Sequence, residues 1–235
     1  MKDEETAIIF DYDLTLVDLK LKGDIILYHL NRACEILGLE DHVRGRTSAF
    51  RAYKQMVDVE LRDSPELPSV KRMLDNAMAA GEMEAAGRAT PVNDSREVLG
   101  MMHAAGAEIG VVSSNSVRIL ESTARRHHIW PMFESVWGRE SPGLSKPSPD
   151  KLLGCARELS NRPLIYVGDD PGDMVAAKAA GLVGVAIRRS SDRVNTPEDS
   201  LLRESGASYI LDTLGEIPSV MTLVAENASL RRPPN

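Results

Sequence analysis

The sequence predicts an α/β protein: a Rossmann-like parallel sheet with helices on both faces, plus an inserted all-helical cap. Three observations predict it. Short runs that are apolar throughout alternate with helix-period segments over most of the chain, as in strands buried on both faces. Between Lys20 and Arg88 nothing reads as a strand. Polar clusters fall at the ends of the apolar runs, and sites in open parallel sheets form beyond the carboxyl ends of the strands.

The first run, Ala7 to Phe10, delivers Asp11, Asp13 and then Thr15. Apolar residues then recur at three- and four-residue spacing from Asp24 to Leu39, with Gly38 as a stop. Further helical segments follow at about Ser48–Leu61 and, after a Pro65–Pro68 connector, Ser69–Ala86, where Gly81 is a candidate break. The pattern changes at Thr90-Pro91. Asn93 or Asp94 is placed to cap a helix over Ser95–Ala105, which Gly106 closes. Strand and helix then alternate: Glu108–Val112 and a helix to His128, Glu134–Trp137 and Pro149–Leu159, Leu164–Val167 and Pro171–Ala180. Val183–Ile187 adds a strand, and Ser208–Leu211 precedes a last helix near Leu214–Ala225. The division is a core of residues 1–17 and 89–235, interrupted by a helical cap at 18–88, with a frayed tail at 231–235.

The 235 residues carry a net charge of −7 and no basic block, which argues against a nucleic-acid partner. The short basic clusters around Arg125-Arg126, Arg188-Arg189 and Arg231-Arg232 read as solvated faces. Cys34 and Cys155 both sit in helical patterns and read as small buried hydrophobes, so a reducing compartment is expected. No apolar stretch is long enough to span a bilayer, and the charged start lacks a signal-peptide core. A cytoplasmic protein is the expectation, with no membrane partner.

Four clusters carry chemistry. Asp11 and Asp13 point to one side of an extended chain, and two carboxylates so close need a cation or a shared proton between them. A strand-end turn capped by Asp and Thr is the structural alternative. A calcium loop is excluded, because Leu16 stands where its glycine must be. Ser113, Ser114, Asn115 and Ser116 end one strand and open a helix; their hydroxyls and free N–H groups suit an anion, or simple capping, or both. Lys146 is held between Pro147 and Pro149, with Ser148 as the next helix's N-cap; it offers a fixed cation or is a solvated turn lysine. Gly168-Asp169-Asp170-Pro171-Gly172-Asp173 puts three carboxylates at a strand end, which suits Mg2+. Capping and helix-dipole effects account for Asp170 and Asp173 but leave Asp169 over.

In this order the four clusters resemble the haloacid dehalogenase (HAD) superfamily of phosphoryl-transfer enzymes. The matches are Asp11-Tyr12-Asp13-Leu14-Thr15, the strand ending in Ser113, Lys146-Pro147 with Pro149-Asp150, and Gly168 to Asp173. A helical insert after the first motif looks like the phosphoglycolate phosphatase and β-phosphoglucomutase branch. Leu14 departs from it, since that branch usually has Gly there.

The resemblance implies a Mg2+-dependent phosphatase acting on a small phosphorylated metabolite. Asp11 would be the nucleophile and Asp13 the acid and base. Ser113 and Lys146 would hold the phosphoryl group, with Ser114 and Asn115 beside them, while Thr15 contacts the site and supports Asp13. The metal would be held by Asp11, the backbone carbonyl of Asp13, Asp169 and Asp173 or Asp170, and the insert would act as a lid. Asp13 argues against dehalogenation, which needs no leaving-group acid. A phosphomutase with the same Asp11 chemistry is the alternative, and a non-catalytic Mg2+-binding module a further one. A monomer or small homo-oligomer is expected. Within the insert, Arg44, Arg46, Arg51 and Lys54 are candidates for a distal anion, or ordinary solvated charges.

Overall fold

A computed structural model describes residues 6–92, 94–161, 164–188 and 196–230. Asn93, Arg189, Arg231, Arg232 and the expected frayed tail lie outside the described residues.

The core sheet has six parallel strands: β1 (Ala7–Phe10), β4 (Glu108–Val112), β5 (Ser135–Trp137), β6 (Ile165–Gly168), β7 (Val183–Ile187) and β8 (Ala207–Leu211). Their spatial order is β5-β4-β1-β6-β7-β8, so β1 lies between β4 and β6. All four residues of β1 are buried, and their side chains divide by strand periodicity. Ile8 and Phe10 join one apolar cluster while Ala7 and Ile9 join the other. That pattern requires cover on both faces. Helices α5 (Ser95–Ala104), α6 (Val117–Arg126) and α10 (Ile217–Leu230) bury Leu99, Leu120 and Ile217 with the first cluster. Helices α7 (Asp150–Glu158) and α8 (Pro171–Ala180) bury Leu152, Cys155 and Ala177 with the second. Helix α9 (Asp199–Glu204), which no strong periodicity announces, packs Leu202 against Met174.

The insert leaves and returns through a two-stranded antiparallel ribbon, β2 (Val17–Asp18) with β3 (Thr90–Pro91). Between them lie α1 (Gly23–Leu37), α2 (Glu40–Val43), α3 (Ala49–Gln55), a π-helical turn at Met56–Glu60, and α4 (Leu67–Ala85). These helices have an apolar cluster of their own around Ile26, Leu30, Tyr53, Met56, Leu74 and Met78. Leu21 packs against both this cluster and the first core cluster.

Several local expectations change. Gly81 does not break α4: a Cβ there would meet the Ile26 Cα at 2.8 Å, so the glycine lets α1 and α4 approach. Asp94 precedes α5 but makes no side-chain cap bond; its Oδ2 accepts instead from the Gly215 N–H at 3.0 Å. The N-cap of α7 is Pro149, one residue after the expected Ser148. Gly38 and Gly106 do close their helices, at φ of +69° and +83°. Cys34 and Cys155 are buried free thiols. Among the described residues no helix is long and apolar enough to cross a membrane.

Candidate active site

The carboxyl ends of β1, β4 and β6 open on one cavity of about 330 Å3. Asp11, Asp13, Ser113, Ser114, Asn115, Lys146, Asp169 and Asp173 all line it, although the chain between the first and last is long. The adjacency of the three strands explains the convergence. The Asp11 N–H donates to the Val167 carbonyl at 2.7 Å and continues the β1–β6 ladder past the strand. Asp11 is thereby set beside the turn that carries Asp169. Tyr12 faces away from the cavity, fully buried, with its hydroxyl 2.8 Å from the Thr123 Oγ1.

Three buried carboxylates, Asp11, Asp169 and Asp173, offer oxygens within 4.8 Å of one another. Hard oxygen donors in this number suit a divalent cation. Lys146 is held against two of them: its Nζ lies 2.6 Å from Oδ1 of Asp11 and 2.6 Å from Oδ1 of Asp173. One ammonium against three carboxylates leaves a local excess of negative charge, so the donor set fits Mg2+. Burial pushes the Asp11 carboxyl up to about 8, against the lowering effect of Lys146 and reinforced by Asp173 and Asp169. Burial works against the Lys146 charge, but Asp11 and Asp173 raise its pKa well above the usual lysine value.

Asp173, not Asp170, belongs to this group. Its Oδ2 accepts from the backbone N–H groups of Asp169 and Asp170 at 3.2 and 3.1 Å. Asp170 is exposed at the N-cap of α8 and accepts from the Gly172 N–H at 2.9 Å. Gly168 is required by the same turn, because a Cβ there would meet the Asp173 Oδ2 at 2.5 Å. The Asp13 carboxylate lies outside the triad. It is half-buried, and its Oδ1 accepts from the Leu19 N–H at 3.0 Å.

Two expectations need correction. Thr15 is fully buried and does not line the cavity; its hydroxyl lies 3.4 Å from Oδ1 of Asp169, so it supports that residue. Ser116, at the N-cap of α6, is taken by the insert and not left for an external anion. Glu82, from α4 of the insert, accepts from the Ser116 N–H at 3.1 Å and from its hydroxyl at 2.6 Å. Ser113 bonds within its own turn, its hydroxyl 3.2 Å from Oδ1 of Asn115.

The structure adds residues that local sequence did not mark. The Tyr166 hydroxyl, on β6, lies 3.0 Å from the Lys146 Nζ. A tyrosine inside an otherwise apolar strand next to a polar turn is the available signal, since a buried phenol needs a partner. Arg139 is 3% exposed and pairs with Asp75 and Glu82 of the insert. Phe50, on α3, lines the main cavity and also a neighbouring one of about 130 Å3 with Arg51, Tyr53 and Lys54.

Comparison with known proteins gives a consistent result. A sequence model of the haloacid dehalogenase-like hydrolases matches residues 8–187. An N-acetylmuramic acid 6-phosphate phosphatase of Pseudomonas aeruginosa is 26% identical over 217 residues, 92% of this chain and 94% of that protein. A phosphoglycolate phosphatase of Salmonella paratyphi A is 32% identical over 93 residues, 39% of this chain and 37% of its own length. A phosphonoacetaldehyde hydrolase-like protein of Oleispira antarctica shares the fold, with a TM-score of 0.67 at 18% identity, over 99% of this chain and 96% of that one.

Proposed function

The chain belongs to the haloacid dehalogenase-like hydrolase family, and from that premise we propose that it is a Mg2+-dependent phosphatase of a small phosphorylated metabolite. The observation that carries the reading is the buried carboxylate triad with Lys146 set against it, lining a cavity sized for a small ligand. The similarity to two sugar- and glycolate-phosphate phosphatases supports the same class of substrate.

Asp11 is the nucleophile: one carboxylate oxygen attacks phosphorus in line, the bond to the leaving oxygen breaks, and an aspartyl-phosphate forms. Asp13, at the cavity wall and oriented by the Leu19 N–H, protonates the leaving oxygen. It then takes a proton from the water that opens the acyl phosphate. Lys146 and the Ser113–Ser114 turn hold the phosphoryl oxygens as charge builds on them. Asp11, Asp169, Asp173 and the Asp13 carbonyl would hold Mg2+, which would supply the positive charge that offsets the repulsion between carboxylate and phosphate. Thr15 and Tyr166 fix the orientation of Asp169 and Lys146.

The helical insert, residues 18–88, serves as the cap. The second cavity, lined by Phe50, Arg51, Tyr53 and Lys54, receives the leaving group. Arg51 is exposed there. A panel of phosphorylated metabolites assayed for phosphate release, with and without Mg2+, tests the reading. Turnover of at least one member is expected only with metal, and none with folded Asp11→Asn. Interconversion of sugar phosphates without phosphate release would instead identify a mutase.

A further inference from the structure

Glu82 is a fully buried carboxylate from the insert, and it sits against the core's phosphate-binding turn. A lone buried carboxylate costs several kcal/mol, so its partners reveal what it holds. Both oxygens face the Arg139 guanidinium. Oε2 takes the N–H and hydroxyl of Ser116, the N-cap of α6. Oε1 accepts from Nδ2 of Asn115 at 3.3 Å. The other end of that amide, Oδ1, accepts from the Ser113 hydroxyl, and Ser113 Oγ in turn accepts from the Asn115 N–H at 3.2 Å. Arg139 also reaches the Ser114 carbonyl at 3.4 Å. Ser113, Ser114 and Asn115 each line the main cavity, whereas Glu82 does not touch it.

We propose that Glu82 is a positioning residue through which the insert sets the geometry of the Ser113–Ser116 turn and the orientation of its hydroxyl. The inference rests on the phosphatase reading, because the turn matters only if it holds a phosphoryl group. It fixes which way the Asn115 amide is turned: with Glu82 on Nδ2, Oδ1 must face Ser113, and the serine proton points at it. The Ser113 hydroxyl is thereby committed as a donor to Asn115. Ser114, exposed at the same turn, keeps its hydroxyl for the ligand. The insert is thus part of the phosphate site while contributing no phosphate contact through this residue.

The test compares Glu82→Gln with Asp75→Asn, which removes the other carboxylate on Arg139 and leaves the turn untouched. Four quantities are read with p-nitrophenyl phosphate as substrate: KM, kcat, the inhibition constant of inorganic phosphate, and Tm. Glu82→Gln is expected to raise KM and the phosphate constant together by roughly tenfold, with kcat changed by less than about threefold. Asp75→Asn should leave both binding quantities near wild type. Equal changes in the two variants, or a folded Glu82→Gln with wild-type binding, would overturn the proposal. If Glu82→Gln fails to fold, a Glu82→Met/Arg139→Met double variant replaces the ion pair with an apolar one. The same rise in the phosphate constant is then expected, and an unchanged constant overturns it. Wild-type protein that neither cleaves the ester nor binds phosphate overturns the functional reading and this inference together. Wild type that does both, beside an unaltered variant, overturns this inference alone.

Discussion

The Lys146 Nζ lies 2.6 Å from Oδ1 of Asp11, although 135 residues separate the two in the chain. The same ammonium reaches Asp173 at 2.6 Å. One cation therefore ties the end of β1 to the first turn of α8 and balances part of the charge that the site concentrates.

Lys146→Met removes that cation and leaves Asp11 and Asp173 buried beside Asp169. The metal-free protein is expected to lose about 3 kcal/mol, the usual consequence of orphaning a buried charge. Mg2+ should restore a larger share of stability to the variant than it adds to wild type, as read by urea denaturation with and without metal. Phosphatase activity measured with Mg2+ should fall by about a hundredfold or more.

Metal binding should release protons near neutral pH. The Asp11 carboxyl, at about 8, holds its proton at pH 7 in the metal-free protein, whereas a ligand to Mg2+ must be ionised. Titration calorimetry in two buffers of different ionisation enthalpy should show up to about one proton released per ion at pH 7, and close to none above about pH 9. Equal heats in both buffers at pH 7 would contradict the burial of this carboxyl.

Lys151 gives a second pH dependence, away from the metal. It is 3% exposed, and its Nζ donates to the carbonyls of Gly138 and Arg139 at 2.9 and 2.7 Å. Burial, with Lys71 adding to it, pushes its pKa down to about 8. Between pH 8 and the ordinary lysine value of 10.5, the unfolded chain holds a proton that the folded protein has lost, so folding stability rises with pH in that window. The stability of wild type relative to Lys151→Met should climb between those limits and stay flat below pH 8. Taking the difference removes the opposite trend from Cys34 and Cys155, whose thiols burial pushes up to about 11 and 12.

Gly81→Ala should destabilise the insert although alanine favours helix by about 1 kcal/mol. The new Cβ would press on the Ile26 backbone, which cannot swing aside as a side chain can. A net loss of about 1–2 kcal/mol is expected in urea denaturation. A gain would mean that α1 and α4 are free to separate.

The order of strands and helices in the core was legible because each strand is buried on both faces and reads as an unbroken apolar run. Val183–Ile187 and Glu108–Val112 match to the residue. The ribbon Val17–Asp18 with Thr90–Pro91 was not legible, since two residues carry no period. Asp11 and Asp169 stood out by their strand-end positions and Lys146 by its flanking prolines, and the fold brings the three together. Glu82 and Arg139 were not, because nothing local distinguishes a glutamate in α4 or an arginine after β5. Their meaning exists only once α4 lies against α6. The contact of Thr15 with Asp169 was hidden for a related reason: its place in the loop was clear, but its approach to that carboxylate depended on β6.

Leu14 shows what a single departure costs. It adopts φ of +67°, a left-handed conformation that suits glycine and strains leucine by about 1–2 kcal/mol. That is the position where the resembled branch usually has glycine, and Leu14 here lines the cavity.

The two ends of the insert meet at a ribbon of two residue pairs, Val17 opposite Pro91 and Asp18 opposite Thr90. Excursions whose ends stand a strand spacing apart, about 5 Å, can be exchanged between homologous scaffolds without disturbing the sheet they leave. A graft of a foreign block between residues 19 and 89 should accordingly splice cleanly here. It would also strip the carboxylate from α6 and leave Arg139 behind as an orphan, so a working chimera has to carry its own counterpart of Glu82.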